Sequence, residues 1–314
     1  MNKHRLAILL LSLLLLNAGC SNPNNSTQIA QELKVSTPTK SNSMSDTTKS
    51  LTESQNNKAL LGYKLVWSDE FQTSGKPDNK KWGYEQGFQR NHELQWYQDD
   101  NAFCENGLLV IEGRREQKLN PTFIPGSKDW KTKRKNINYT SSCLTSKQDW
   151  KYGRFEIKAR IKTEAGLWPA IWFLGVEGQW PSNGEIDLME YYDDKILANA
   201  CWGTKKAFNA KWDSSKTPMT HFNNPNWDKK FHIWRMDWDK DFIKLYLDDE
   251  LLNTIDLKKA INSTTKFGPK EPFQQNQYLL LNLAIGGQNG GDPKATAFPT
   301  RYEIDYVRIY QENK

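Results

Sequence analysis

From Tyr63 onward, short runs of apolar and aromatic residues recur, and Gly, Asn, Asp and Pro break them at frequent intervals. Leu108-Leu109-Val110-Ile111-Glu112 follows an Asn106-Gly107 turn. Arg154 to Lys162 alternates polar and apolar residues, the pattern of a strand with one buried face. Phe242 to Leu247 runs into Asp248-Asp249, a hairpin turn signal. Tyr278 to Ile285 is almost continuously apolar and predicts a central strand buried on both sides. Tyr302 to Tyr310 alternates again. Helix signals are few, with one helical turn predicted over Leu257 to Ile261. Many short strands joined by turns predict an all-β sandwich or barrel.

The beginning of the chain has a different texture. Lys3, His4 and Arg5 precede an apolar run from Leu6 to Leu16, then Asn17-Ala18-Gly19-Cys20. Such a run is short for a membrane span and reads as a signal peptide, residues 1–20. The small residues before Cys20 resemble a bacterial lipoprotein signal, although Asn17 stands where an apolar residue is usual. That resemblance implies export, lipidation of Cys20 and a place in the bacterial cell envelope, at its periplasmic or surface face. Residues 21–60 are rich in Ser, Thr, Asn, Gln and Lys and poor in aromatics. They bury too little apolar surface to offset their chain entropy and read as a polar tether. Residues 61–314 then form one domain, expected to be monomeric.

Composition narrows the function. Hydrophobic residues make up 37% and charged residues 25%, as in globular proteins. Thirteen tryptophans suit a large β core, a sugar-stacking surface, or both. The net charge of +6 is modest, and no recognition motif organises it, which argues against nucleic-acid binding. Lys128 to Lys135 is a basic run, either a solvated loop or a rim attracting an anionic glycan. Cys104, Cys143 and Cys201 read as small buried side chains, and no Cys/His spacing suggests zinc.

The chemistry concentrates in Gly184-Glu185-Ile186-Asp187-Leu188-Met189-Glu190-Tyr191. On a strand Glu185 and Asp187 share a face, whereas Glu190, three residues beyond Asp187, falls on the other. One β-bulge restores the parity and puts all three acids together. Alternatives are a ladder of surface acids or a cation site, but the flanking Ile, Leu and Met belong in a core. Two paired carboxylates, one an ionised nucleophile and one a proton donor, are the equipment of a retaining glycosidase.

These residues resemble glycoside hydrolase family 16, in its laminarinase-like branch. Leu65 to Phe71, Asn91 to Tyr97, Gly166 to Trp172, Asn282 to Gly287 and Ile304 to Tyr310 match further family segments. The resemblance implies a concanavalin-like β-jelly-roll of two antiparallel sheets with a concave substrate cleft. It implies Glu185 as nucleophile, Asp187 as assisting acid and Glu190 as acid/base in an endo-acting hydrolase. The expected substrate is a β-1,3- or mixed-linkage β-1,3-1,4-glucan. A galactan or host O-glycan cut by an endo-β-galactosidase is the alternative, and a non-catalytic glycan-binding lipoprotein is a third. Trp168 and Trp172 would stack sugars, unless they are core aromatics. Asn91, Glu93 and Gln95 would meet sugar hydroxyls, unless they form a polar turn. Trp180 is a further candidate. Trp202 stands near a position where many laminarinase-like members carry histidine, and would reshape the product side of the cleft. Catalysis needs no cofactor. A structural calcium, held by Glu70, Gly107 and Asp305, is the one metal implied; plain strand-end polar groups are the other reading.

Overall fold

The computed structural model describes residues 62–313, so the expected signal peptide, the expected tether and Cys20 lie outside the described residues. Within them the chain forms two stacked antiparallel sheets, as the alternating runs predict.

The larger sheet contains β1 (Tyr63–Asp69), β3 (Gln95–Tyr97), β4 (Ala102–Glu105), β5 (Leu108–Leu119), β6 (Asn136–Ser141), β8 (Gly153–Arg160), β13 (His232–Trp238), β14 (Phe242–Leu247), β15 (Glu250–Asp256) and β17 (Thr300–Glu312). The smaller sheet contains β2 (Trp82–Tyr84), β7 (Cys143–Trp150), β9 (Leu167–Gly175), β10 (Glu185–Tyr192), β11 (Lys195–Gly203), β12 (Ala210–Pro218) and β16 (Gln277–Ile285). Its order is β12-β11-β10-β9-β16-β7-β2, so the strand with three acids runs through its middle. A single parallel pairing, β3 with β6, stands among the antiparallel pairs of the described residues.

Burial follows the pattern read from the sequence. Strand β8 alternates strictly, with Phe155, Ile157 and Ala159 inward. They pack with Trp234, Met236 and Trp238 of β13 against Phe173 of β9 and Leu279, Leu281 and Leu283 of β16. Strand β16 is buried on both faces, because a second layer covers its outer side. There Tyr97, Cys143, Ala170, Trp172 and Leu280 form a small separate cluster. Leu257 to Ile261 is a hydrogen-bonded turn, with Lys259 and Ala260 both donating to the Asp256 carbonyl, and does not extend into a helix.

That covering layer positions the site. Residues 87–97 lie across the sheet, with Leu94 N donating to Ile285 O at 2.8 Å. Gly287 sits beneath them at φ +75°, where a Cβ would come 2.8 Å from Asn91 O, so a side chain would lift the segment away. From the other side Arg134 donates to the carbonyls of His92 and Glu93. The basic run is therefore anchored to this wall, with Trp130 packed on His92 at 4.8 Å between ring centres.

Candidate active site

The bulge on β10 is present where parity requires it. Against β11, Asp187 pairs with Asn199 and Glu190 with Leu197, so two residues, Leu188 and Met189, oppose the single Ala198. Leu188 and Met189 both turn into the core, which returns Glu190 to the outer face. Glu185, Asp187 and Glu190 thus line one cavity of about 790 Å³ on the outer face of the smaller sheet.

Indole nitrogens fix the two glutamates. Trp180 Nε1 donates to Glu185 Oε2 at 2.8 Å, and Trp168 Nε1 to Glu190 Oε1 at 2.8 Å. Asn199 Nδ2 donates to Glu190 Oε2 at 3.2 Å. Asp187 lies between the glutamates on the same face, with its Oδ2 buried. Burial, and then the charge of Glu190, pushes Glu185 up to about 7. Burial and both glutamates push Asp187 well above the carboxylate range, and burial also raises Glu190. Burial and the two flanking acids thus disfavour charge on Asp187.

Of the other residues singled out in the sequence, Trp168, Trp172, Asn91 and Glu93 line the same cavity, as does Trp180. Gln95 does not: fully buried, it donates to Glu93 Oε2 at 2.7 Å and accepts from Ile285 N at 2.7 Å, acting as a strut behind the wall. Trp202 corrects the sequence expectation. It points into the core against Phe273, because β11 turns its even-numbered positions inward. Its neighbour Cys201 faces the acids, whose charges add to burial in raising its thiol. All three cysteines of the domain are buried and free.

The calcium expectation fits poorly. The Glu70 carboxylate is forked onto Arg308 at 2.9 and 2.8 Å, and Asp305 pairs with Lys158 at 2.7 Å. Gln72 lies against Gly107. Both carboxylates are already matched by cations, and among the described residues no three His, Cys, Asp or Glu side chains gather as a metal site.

Sequence reasoning missed several cavity residues. Arg90, Asn199, Asn282, Phe208, Trp212 and Lys216 all line it. Asn199 was within reach, since it opposes Asp187 once β10 and β11 are paired. Phe208 and Trp212 are exposed aromatics in a polar segment, with no periodicity to betray them.

Residues 88–308 match the family model for glycosyl hydrolases family 16. The chain belongs to that family. It is a glycoside hydrolase built on the jelly-roll sandwich. Its relatives include a beta-glucanase from Rhodothermus marinus, 34% identical over 79% of this chain and 85% of that protein. A solved laminarinase from the same organism superposes with a TM-score of 0.64 at 32% identity, over 80% of this chain and 98% of the other. A structure from work on endo-acting O-glycanases of human gut bacteria, which initiate mucin breakdown, superposes with a TM-score of 0.72 at 34% identity. It covers 80% of this chain and 92% of its own.

Proposed function

We propose that this family 16 hydrolase is a retaining endo-β-glucanase acting on β-1,3-linked glucan, mixed-linkage chains included. The observation that carries the reading is the trio of acids on one bulged strand, Asp187 buried and each glutamate partly buried and held by an indole N–H, in an aromatic-lined cavity. The β-glucanase and laminarinase relatives supply the glucan.

In the first step a Glu185 oxygen attacks the anomeric carbon. The glycosidic C–O bond breaks as Glu190 gives its proton to the leaving oxygen. In the second, water attacks the same carbon, Glu190 takes its proton back and Glu185 leaves as carboxylate. Two inversions give net retention. Asp187, on the same face between the two glutamates, is the assisting acid beside Glu185. Trp168 and Trp172 shape the floor beside the cut, and Asn91 and Glu93 present polar groups to the sugar on the non-reducing side.

Hydrolysis of laminarin and lichenan with β-anomeric products, abolished in Glu185→Gln, is the expected result. Inverted products, or an active Glu185→Gln, would exclude the mechanism. A second reading, endo-cleavage of a galactan or host O-glycan, is favoured by the cationic Arg90 and Lys216 in the cavity and by the likeness to the O-glycanase structure. Inert laminarin and lichenan beside cleaved mucin O-glycans, keratan or agarose would select it.

We further infer that the domain is a monomer tethered to a bacterial envelope membrane through lipidated Cys20. Mass spectrometry of the mature N-terminus, and release of a Cys20→Ala variant from membranes, test the anchor.

A further inference from the structure

Arg90 precedes β3 in the wall of the cleft and lines the cavity. Its guanidinium carbon lies 5.0 Å from the centre of the Trp172 ring, over the face of the indole. Its Nη2 donates to Glu85 Oε1, and Glu85 itself does not line the cavity. Trp172 is also held at its edge: Nε1 donates to Asn282 Oδ1 at 2.7 Å, and Asn282 Nδ2 to Tyr97 Oη at 2.9 Å. Trp172 is only 8% exposed, whereas the Arg90 side chain keeps 28%. A sugar entering the cleft meets the guanidinium before it meets that indole face. Glu85 is the one hydrogen-bond partner of the Arg90 side chain among the described residues, so most of its five N–H groups stay available.

The nucleophile candidate is adjacent. On β10 and β9, Asp187 pairs with Trp172 and Glu185 with Leu174, so Trp172 sits diagonally across from Glu185 on the same face. The groups around Glu185 are mostly acids or neutral: Asp187 and Glu190 on its own strand, Cys201 on β11, Tyr278 on β16 and Glu93 in the wall. Two cations line the cavity, Arg90 over the Trp172 ring and Lys216 on β12, and the charge of Arg90 opposes the effect of burial on Glu185.

We propose that Arg90 is a positioning residue of the hydrolytic reaction, clamping Trp172 as the cleft floor and supplying a positive charge that favours the anionic form of Glu185 against its burial. The proposal rests on Glu185 being the nucleophile. A nucleophile must be ionised, so kcat/KM falls as pH drops through its titration. Removing a nearby cation moves that acid limb to higher pH, because the charged form loses a favourable partner.

The test is the pH profile of kcat/KM for wild type, Arg90→Gln and Arg90→Lys on whichever polymer the enzyme cuts. In Arg90→Gln the acid limb is expected to move up by about one pH unit, with roughly tenfold less activity below it. Arg90→Lys keeps the charge and the limb, but raises KM, since an ammonium cannot lie flat on the indole as the planar guanidinium does. Where Arg90→Gln fails to fold with Glu85 left unpaired, Arg90→Gln/Glu85→Gln carries the same measurement. An acid limb unmoved in the folded Gln variants would overturn the proposal, whatever happens to KM. An active Glu185→Gln would instead remove the reading beneath it, so the two failures are distinguishable.

Discussion

Trp180 Nε1 donates a 2.8 Å hydrogen bond to Oε2 of Glu185, and Trp168 Nε1 makes its counterpart, also 2.8 Å, to Glu190. The two indoles thus act on opposite partners of the reaction. An N–H aimed at a carboxylate favours its charged form, so losing it raises that group's pKa. Trp180→Phe is expected to move the acid limb of kcat/KM up, and Trp168→Phe the alkaline limb up. Each should lower kcat about tenfold or more, as a hydrogen bond to a charged group contributes roughly 1.5–3 kcal/mol. Paired pH profiles check this; two variants moving the same limb would contradict the division of roles.

Asn199 makes a second, neutral contact to the same end of the site. Its Nδ2 donates to Glu190 Oε2 at 3.2 Å, and it stands opposite Asp187 across the strand pair. Asn199→Asp replaces that donor with a fourth carboxyl beside three. Glu190 should then hold its proton to higher pH, and kcat should fall as the donor is lost. The alkaline limb of the profile reports the shift. Asn199→Ala, which removes the donor without adding charge, should move it less.

The fold was legible because its signal is local. Strand β8 alternates in the sequence and alternates in burial, residue for residue. The bulge was legible for the same reason: Glu185, Asp187 and Glu190 cannot share a face otherwise. Trp202 was not, because alternation says that residues 201 and 202 part company and leaves open which one meets the cleft. That depends on β11 pairing with β10 in a register that sets Cys201 opposite Glu185, a relationship between strands. Arg90 was missed and Gln95 was placed in the cleft for a similar reason. Arg90 adjoins Asn91 and Gln95 lies four residues beyond it, yet one reaches the cavity and the other is a buried strut. Loop geometry carries no period.

The bulge itself can be tested by removing it. Deleting Met189 leaves a single residue between Asp187 and the following glutamate, so plain alternation keeps all three acids on one face. The variant should retain measurable hydrolysis. It also loses a fully buried core side chain, which costs about 2–5 kcal/mol and should lower Tm. Loss of all activity in a folded deletion variant would mean that the reach of Glu190, and not its face alone, depends on the bulge.

Trp202 and Trp212 provide the contrast between core and cleft. Trp202 is 4% exposed and packs on Phe273, whereas Trp212, on the edge strand β12, is 45% exposed and lines the cavity opposite Cys201. Trp202→Ala empties an indole-sized space between the sheets and should destabilise the fold by about 3–5 kcal/mol. Its effect on KM at a temperature where it stays folded should be small. Trp212→Ala removes little buried surface and should leave Tm almost unchanged. If a sugar ring stacks there, its loss raises KM, and by more on long oligosaccharides than on short ones that do not reach β12. Thermal unfolding together with KM across a chain-length series separates the two residues. A Trp202 variant with native Tm and raised KM would return that side chain to the cleft.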